Sequence, residues 1–170
     1  MASSGIAAEL LDGGRTAHSR FKIPIPILDT STCNIPIQSS LAELIRIASI
    51  IIWDEAPMMH RYVFECVHRT LCDIMKSDNP FGGKLVLGGD FRQVLPVIRH
   101  GSQANVIFSS LQHSFLWTHV CKLHLTINMR VHTLTTGQCS SNADTSFERF
   151  ILNIGNGTEE YHTQLGISKN

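Results

Sequence analysis

The stretch Ile50-Ile51-Ile52-Trp53-Asp54-Glu55 most constrains how this chain folds. A run of β-branched residues too short for a helix, with Ser49 before it, reads as a buried strand over Ser49–Trp53 of a mostly parallel sheet. It runs straight into two adjacent carboxylates, which an apolar strand does not need for its own stability. A second short apolar run, Leu85-Val86-Leu87, leaves through Gly88-Gly89-Asp90. Between them, apolar residues at 59, 63, 66, 67, 71 and 74 recur at close to helical period, so a helix is expected from about Met58 to Lys76. Asn79-Pro80 ends it and Phe81-Gly82-Gly83 reads as a loop.

The rest of the chain continues that alternation. Residues 1–9 read as a short strand running into a helical stretch, and Asp12-Gly13-Gly14 as a turn. Prolines 24, 26 and 36 keep the segment from Ile23 to Pro36 extended or looped. Ser40 and Glu43 have the spacing of a capping box at the head of a helix. Residues 103–111 read as helical, and 120–127 as a further strand. The polar residues 132–145 read as a surface loop, and Thr145 with Glu148 opens a last helix stopped by Gly155 or Gly157. Strands alternating with helices make an α/β layer fold, in which ligands bind at the carboxyl ends of the strands. Asp54, Glu55, Asp90 and Arg130 all fall at such ends.

Composition narrows the function classes. Lysine plus arginine and aspartate plus glutamate number 14 each, so the net charge is zero and any anion site must be local. No apolar run approaches the roughly 20 residues that span a bilayer. The N-terminal residues lack the pattern of a secretory signal, so a membrane or secreted protein is not expected. The five cysteines show no C-x-x-C spacing, which argues against a disulfide framework or a zinc site and for a reducing compartment.

Four elements carry the chemistry. An aspartate at a strand end can hold Mg²⁺ beside a triphosphate, and the next carboxylate can take a proton from an attacking water. This is the Walker B arrangement of nucleotide hydrolases, although the same dipeptide also suits the start of a helix. In Gly88-Gly89-Asp90-Phe91-Arg92-Gln93, the Gln93 amide is suited to sensing a γ-phosphate, where the bland alternative is a turn. Arg130, after a predicted strand, has the fork geometry for phosphate oxygens or is a surface arginine. The segment Gly13–Ile25 mixes Arg15, His18, Arg20 and Lys22 with Thr16, Ser19 and Phe21. It either grips a nucleic-acid backbone or is a solvated loop.

Together SSGIAAELLDGGRTAHSRFKIPI, IIWDEAPM, FGGKLVLGGDFRQVLPV and LTINMR resemble successive motifs of the petite-integration-frequency (PIF-type) DNA helicases, most of all their Helitron-like branch. The resemblance implies an incomplete RecA-like P-loop NTPase domain over residues 1–157, a mostly parallel sheet flanked by helices, with 158–170 an unassigned tail. It implies ATP and Mg²⁺ as cofactors and single-stranded DNA as partner, with five-prime to three-prime translocation. It further implies a nuclear location and roles in DNA repair, recombination and telomere maintenance. By that likeness Asp54 is the metal ligand, Glu55 the base, Gln93 and Arg130 the γ-phosphate contacts, and Thr16, His18 and Arg20 the DNA-touching residues. The 170 residues contain no G-x-x-x-x-G-K-[ST] phosphate loop. The chain is therefore expected to be a slice of such an enzyme, inactive alone. The alternatives are a non-catalytic single-stranded-DNA-binding or decayed transposon remnant, and another phosphate-handling α/β enzyme using the acid pair.

Overall fold

A computed structural model describes residues 1–89, 91, 95–125 and 142–158 of the chain. They belong to two compact units, Met1–Val120 and Cys121–Asn170.

In the first unit β1 (Ile50–Trp53) pairs in parallel with β2 (Leu85–Gly88), with Ile50 opposite Leu85 and Trp53 opposite Gly88. The two strands therefore end side by side. Gly88 permits this closeness: a Cβ there would lie 2.9 Å from that of Ala56. The helices are α1 (Gly5–Glu9), α2 (Ala17–Phe21), α3 (Ser40–Ile47), α4 (Arg61–Met75) and α5 (Gln103–Ser109). Short 3₁₀ turns at Ala56–Met58 and Pro80–Gly83 replace the first turn of the expected 58–76 helix and the expected loop at 81–83. Pro57 and Pro80 open these turns, where a missing N–H costs nothing.

Capping explains most boundaries. Ser4, Thr16, Ser39 and Ser102 each accept a backbone N–H from the first turn of α1, α2, α3 and α5. The cap of α3 is Ser39 rather than Ser40, so the expected capping box is displaced by one residue. Glu43 instead pairs with Arg46 at 3.0 Å. Met1–Ser3 forms no regular strand but a strap with bridges from Ala2 to both Thr16 and Asp54.

The core lies between α4 and one face of the sheet. Trp53 packs against Phe64 at 4.6 Å between ring centres and Phe21 at 6.3 Å. Val63, Cys66, Val67, Leu71 and Ile74 line the buried side of α4. The expectation of fully buried strands is corrected. Ile50 and Ile52 of β1 and Leu85 and Leu87 of β2 lie on the other face and are 41–58% exposed. Among the described residues nothing covers that face, so a continuous apolar run here is buried on one side only.

In the second unit a helix, α6 (Asn142–Asn156), begins three residues before Thr145 and ends at Gly157, whose φ is +67°. Val120–Leu125 do not form the expected strand: they are exposed, and no described neighbour offers a ladder. Thr126, Ile127 and the 132–141 part of the expected loop lie outside the described residues.

Candidate nucleotide and nucleic-acid site

The acid pair emerges at the carboxyl end of β1. Asp54 is exposed and Glu55 half-buried. Asp54 Oδ1 accepts the Glu55 N–H at 3.0 Å, and Ala56 N–H donates to Gly89 O at 2.9 Å, which ties the strand exits together. Glu55 has φ +52°, a left-handed conformation uncommon for a residue with a Cβ. Such positions persist only where the surroundings over-determine them. Here Ser4 Oγ–H donates to Glu55 Oε2 at 2.9 Å.

The strap sets the second element beside the first. Ala2 N–H donates to Arg15 O at 3.1 Å and Ala17 N–H to Ala2 O at 2.9 Å. On the other edge Ser3 N–H donates to Asp54 O at 3.0 Å and Asp54 N–H to Met1 O at 2.9 Å. The backbone order across this edge is thus Thr16, Ala2, Asp54, with β2 beyond β1. The polar segment and the acid pair, 38 residues apart in sequence, are one strap apart in space.

The three residues expected to touch DNA differ in what they offer. Thr16 Oγ1 caps α2 by accepting Ser19 N–H at 3.2 Å. Burial lowers the pKa of His18, so it contributes no charge near neutrality. Arg20, half-buried, remains a cation on the same helix, flanked by exposed Arg15 and Lys22. Gln93, Arg130 and Asp90 lie outside the described residues.

The donor set fits magnesium as a nucleotide's companion. Mg²⁺ is commonly bound by one or two carboxylates together with phosphates and retained waters, and an exposed aspartate at a strand tip matches that habit. Among the described residues no three histidine, cysteine or acidic side chains converge on an all-protein metal cage.

Sequence missed Ser4 and Ala2. Nothing local in the sequence announces that the Ser4 hydroxyl meets a carboxylate 51 residues away.

A parallel-strand edge with paired acids, helices on its flank and a basic segment alongside defines an α/β domain of the nucleotide-hydrolase type. The sequence model of the PIF1-like helicase family matches residues 1–164, and the chain belongs to that family. It is 30% identical over 118 residues to the ATP-dependent DNA helicase Pif1 of a Psychrobacter species, covering 68% of this chain and 18% of that protein. It is 36% identical over 101 residues to the ATP-dependent DNA helicase RRM3 of Saccharomyces cerevisiae, covering 58% of this chain and 14% of that one. Among solved structures, Bacteroides Pif1 bound to single-stranded DNA is similar with a TM-score of 0.67 and 26% identity, over 94% of this chain and 36% of that one. Pif1 from Bacteroides in complex with ADP-AlF3 and single-stranded DNA gives a TM-score of 0.70 and 25% identity over the same shares. The fold is accordingly an incomplete RecA-like domain. The chain spans less than a fifth of the length of these two curated relatives.

Proposed function

We propose that these residues are the part of an ATP-dependent DNA helicase that carries the hydrolysis acids and a share of the single-strand contact. One observation carries the reading: the Asp54-Glu55 pair leaves β1 beside Gly88-Gly89 and is strapped through Ala2 to the Thr16–Arg20 segment. Family membership, and relatives solved with single-stranded DNA and ADP-AlF3, support it.

In this reading Asp54 holds Mg²⁺, which supplies charge neutralisation for the phosphates when bound. Glu55 accepts the proton of the attacking water. Gln93 and Arg130 contact the γ-phosphate, while Thr16, His18 and Arg20 meet the DNA strand. Given its lowered pKa, His18 would do so as a neutral hydrogen-bonding ring. The expected five-prime to three-prime direction, the nuclear location and the roles in repair, recombination and telomere maintenance follow from the PIF-type likeness. So does the Helitron-like affiliation. No helix among the described residues is long and apolar enough to cross a membrane.

The second reading is a non-catalytic single-stranded-DNA binder. Exposed Arg15 and Lys22 beside Arg20 favour it, because a phosphate backbone can be gripped there without a nucleotide. The discriminating experiment is fluorescence anisotropy of a labelled oligothymidylate, titrated with the chain with and without a millimolar non-hydrolysable ATP analogue and Mg²⁺. The motor reading expects DNA affinity to change at least twofold with nucleotide. Binding that ignores nucleotide assigns the remnant, and no DNA binding overturns both.

A further inference from the structure

We infer that Ser4 is a positioning residue for Glu55, and that the Met1–Ser4 strap carries nucleic-acid occupancy of the Thr16–Arg20 segment to that carboxylate. This rests on the functional reading above, which gives Glu55 the proton and Thr16–Arg20 the DNA.

The hydroxyl geometry comes first. A serine hydroxyl has one proton to give and two lone pairs to receive. Ser4 Oγ accepts Ala7 N–H at 3.1 Å as the cap of α1, and its single proton goes to Glu55 Oε2 at 2.9 Å. The oxygen is therefore held from the helix side while it holds the carboxylate. This is the hydrogen bond found for the Glu55 side chain among the described residues, at a residue whose left-handed backbone needs an external hold.

The strap's geometry comes second. Ala2 is fully buried; its own N–H and carbonyl bond to Arg15 and Ala17 on one edge, and its neighbours Met1 and Ser3 bond to Asp54 on the other. Arg15 and Ala17 flank Thr16, the cap of α2, and Arg20 lies on that helix. Only Ser3 lies between Ala2 and Ser4, two steps of chain that span about 7 Å when extended. A displacement of Arg15–Ala17 by a bound phosphate backbone therefore moves Ala2, and with it the hydroxyl that orients Glu55. The strap is short and doubly bonded, so it cannot absorb the movement as a flexible loop would.

The test uses the full chain labelled with ¹⁵N and ¹³C and titrated with single-stranded oligothymidylate, while anisotropy reports DNA binding independently. The Ala2 and Ser4 amides and the Glu55 side-chain ¹³Cδ should shift along one curve with the midpoint of the anisotropy titration. Ser4→Asp keeps a helix cap but has no proton to donate. It should reduce the Glu55 ¹³Cδ response at least threefold while DNA affinity changes less than twofold, and Ser4→Thr should restore the response. A Glu55 carboxylate silent in the unsubstituted chain while DNA binds overturns the inference. So does a response unchanged in Ser4→Asp. Absence of DNA binding in the anisotropy arm instead removes the functional reading itself. The titration of the unsubstituted chain decides the matter should Ser4→Asp fail to fold.

Discussion

The indole Nε1 of Trp53 donates to Ser3 Oγ across 3.1 Å, joining the last residue of β1 to the strap beside it. Trp53 is 1% exposed and packs between Phe21 and Phe64, so it belongs at once to the core and to the frame of the acid pair. Trp53→Ala should lower stability by about 3–5 kcal/mol through cavity formation. Trp53→Phe keeps most of the packing and loses the hydrogen bond, for about 1 kcal/mol or somewhat more. Urea denaturation followed by circular dichroism measures both, and equal losses for the two variants would show that the ring volume is not what Trp53 contributes.

ATP turnover, where these residues support it, should depend on the acids. Glu55→Gln keeps an oxygen for Ser4 but removes the proposed base, and should reduce phosphate release by about 10²–10⁴-fold, or to background. Asp54→Asn should raise the Mg²⁺ concentration needed for half-maximal release. The 170-residue polypeptide by itself is expected to turn over slowly even with DNA present. DNA-stimulated release that vanishes in Glu55→Gln would show that it needs no phosphate loop of the usual form.

Arg20→Ala should weaken single-stranded-DNA binding several-fold, and more at low salt than at high. Each lost phosphate contact lowers the slope of log K against log salt by about 0.7 for a single strand. His18→Ala should leave that slope unchanged, since burial keeps the imidazole neutral. Anisotropy titrations between 50 and 200 mM salt separate the two, and a slope for Arg20→Ala equal to that of the unsubstituted chain would remove Arg20 from the DNA contact.

Acid should loosen the fold before the carboxylates titrate. Burial lowers the pKa values of His18, His60 and His68 below the ordinary value of 6.5. The unfolded chain then binds more protons than the folded one as pH falls through that value, so stability falls with it. The hydrogen bonds agree in sign. His60 Nδ1 accepts Tyr62 N–H at 3.1 Å and His68 Nδ1 accepts Phe81 N–H at 3.0 Å, roles open only to a neutral ring. The melting temperature should drop between pH 7.5 and pH 5.5. His68→Gln, whose amide oxygen can still accept, should flatten part of that slope. A melting temperature that rises over this interval would contradict the assigned burial.

Much of this was legible along the chain. The β-branched run into Asp54-Glu55, the apolar period of α4 and the glycine pair after Leu87 are local patterns, and all three became the elements expected of them. The capping serine of α3 was misread by one residue because Ser39 and Ser40 are equivalent in composition, and only the hydrogen bond to Ala42 chooses between them. The strands were expected to be buried on both faces because an apolar run carries no record of which face is covered. The strand at 120–127 failed where described because a ladder needs a partner, and a partner is not a property of the segment.

The sequence by itself determined the family, the α/β alternation and the position of the acid pair at a strand end, since each depends on residue type and spacing over a few turns. Only the tertiary structure decided that Ser4 meets Glu55 across 51 residues and that Ala2 joins the Thr16 segment to Asp54. It also brought the sulfurs of Cys33 and Cys66 to 3.6 Å in the core, which no cysteine spacing announced. The reason is physical. Helical and strand periods are set by neighbouring backbone sterics, whereas a contact between distant segments is chosen by how the whole core packs, and no short stretch of chain encodes that choice.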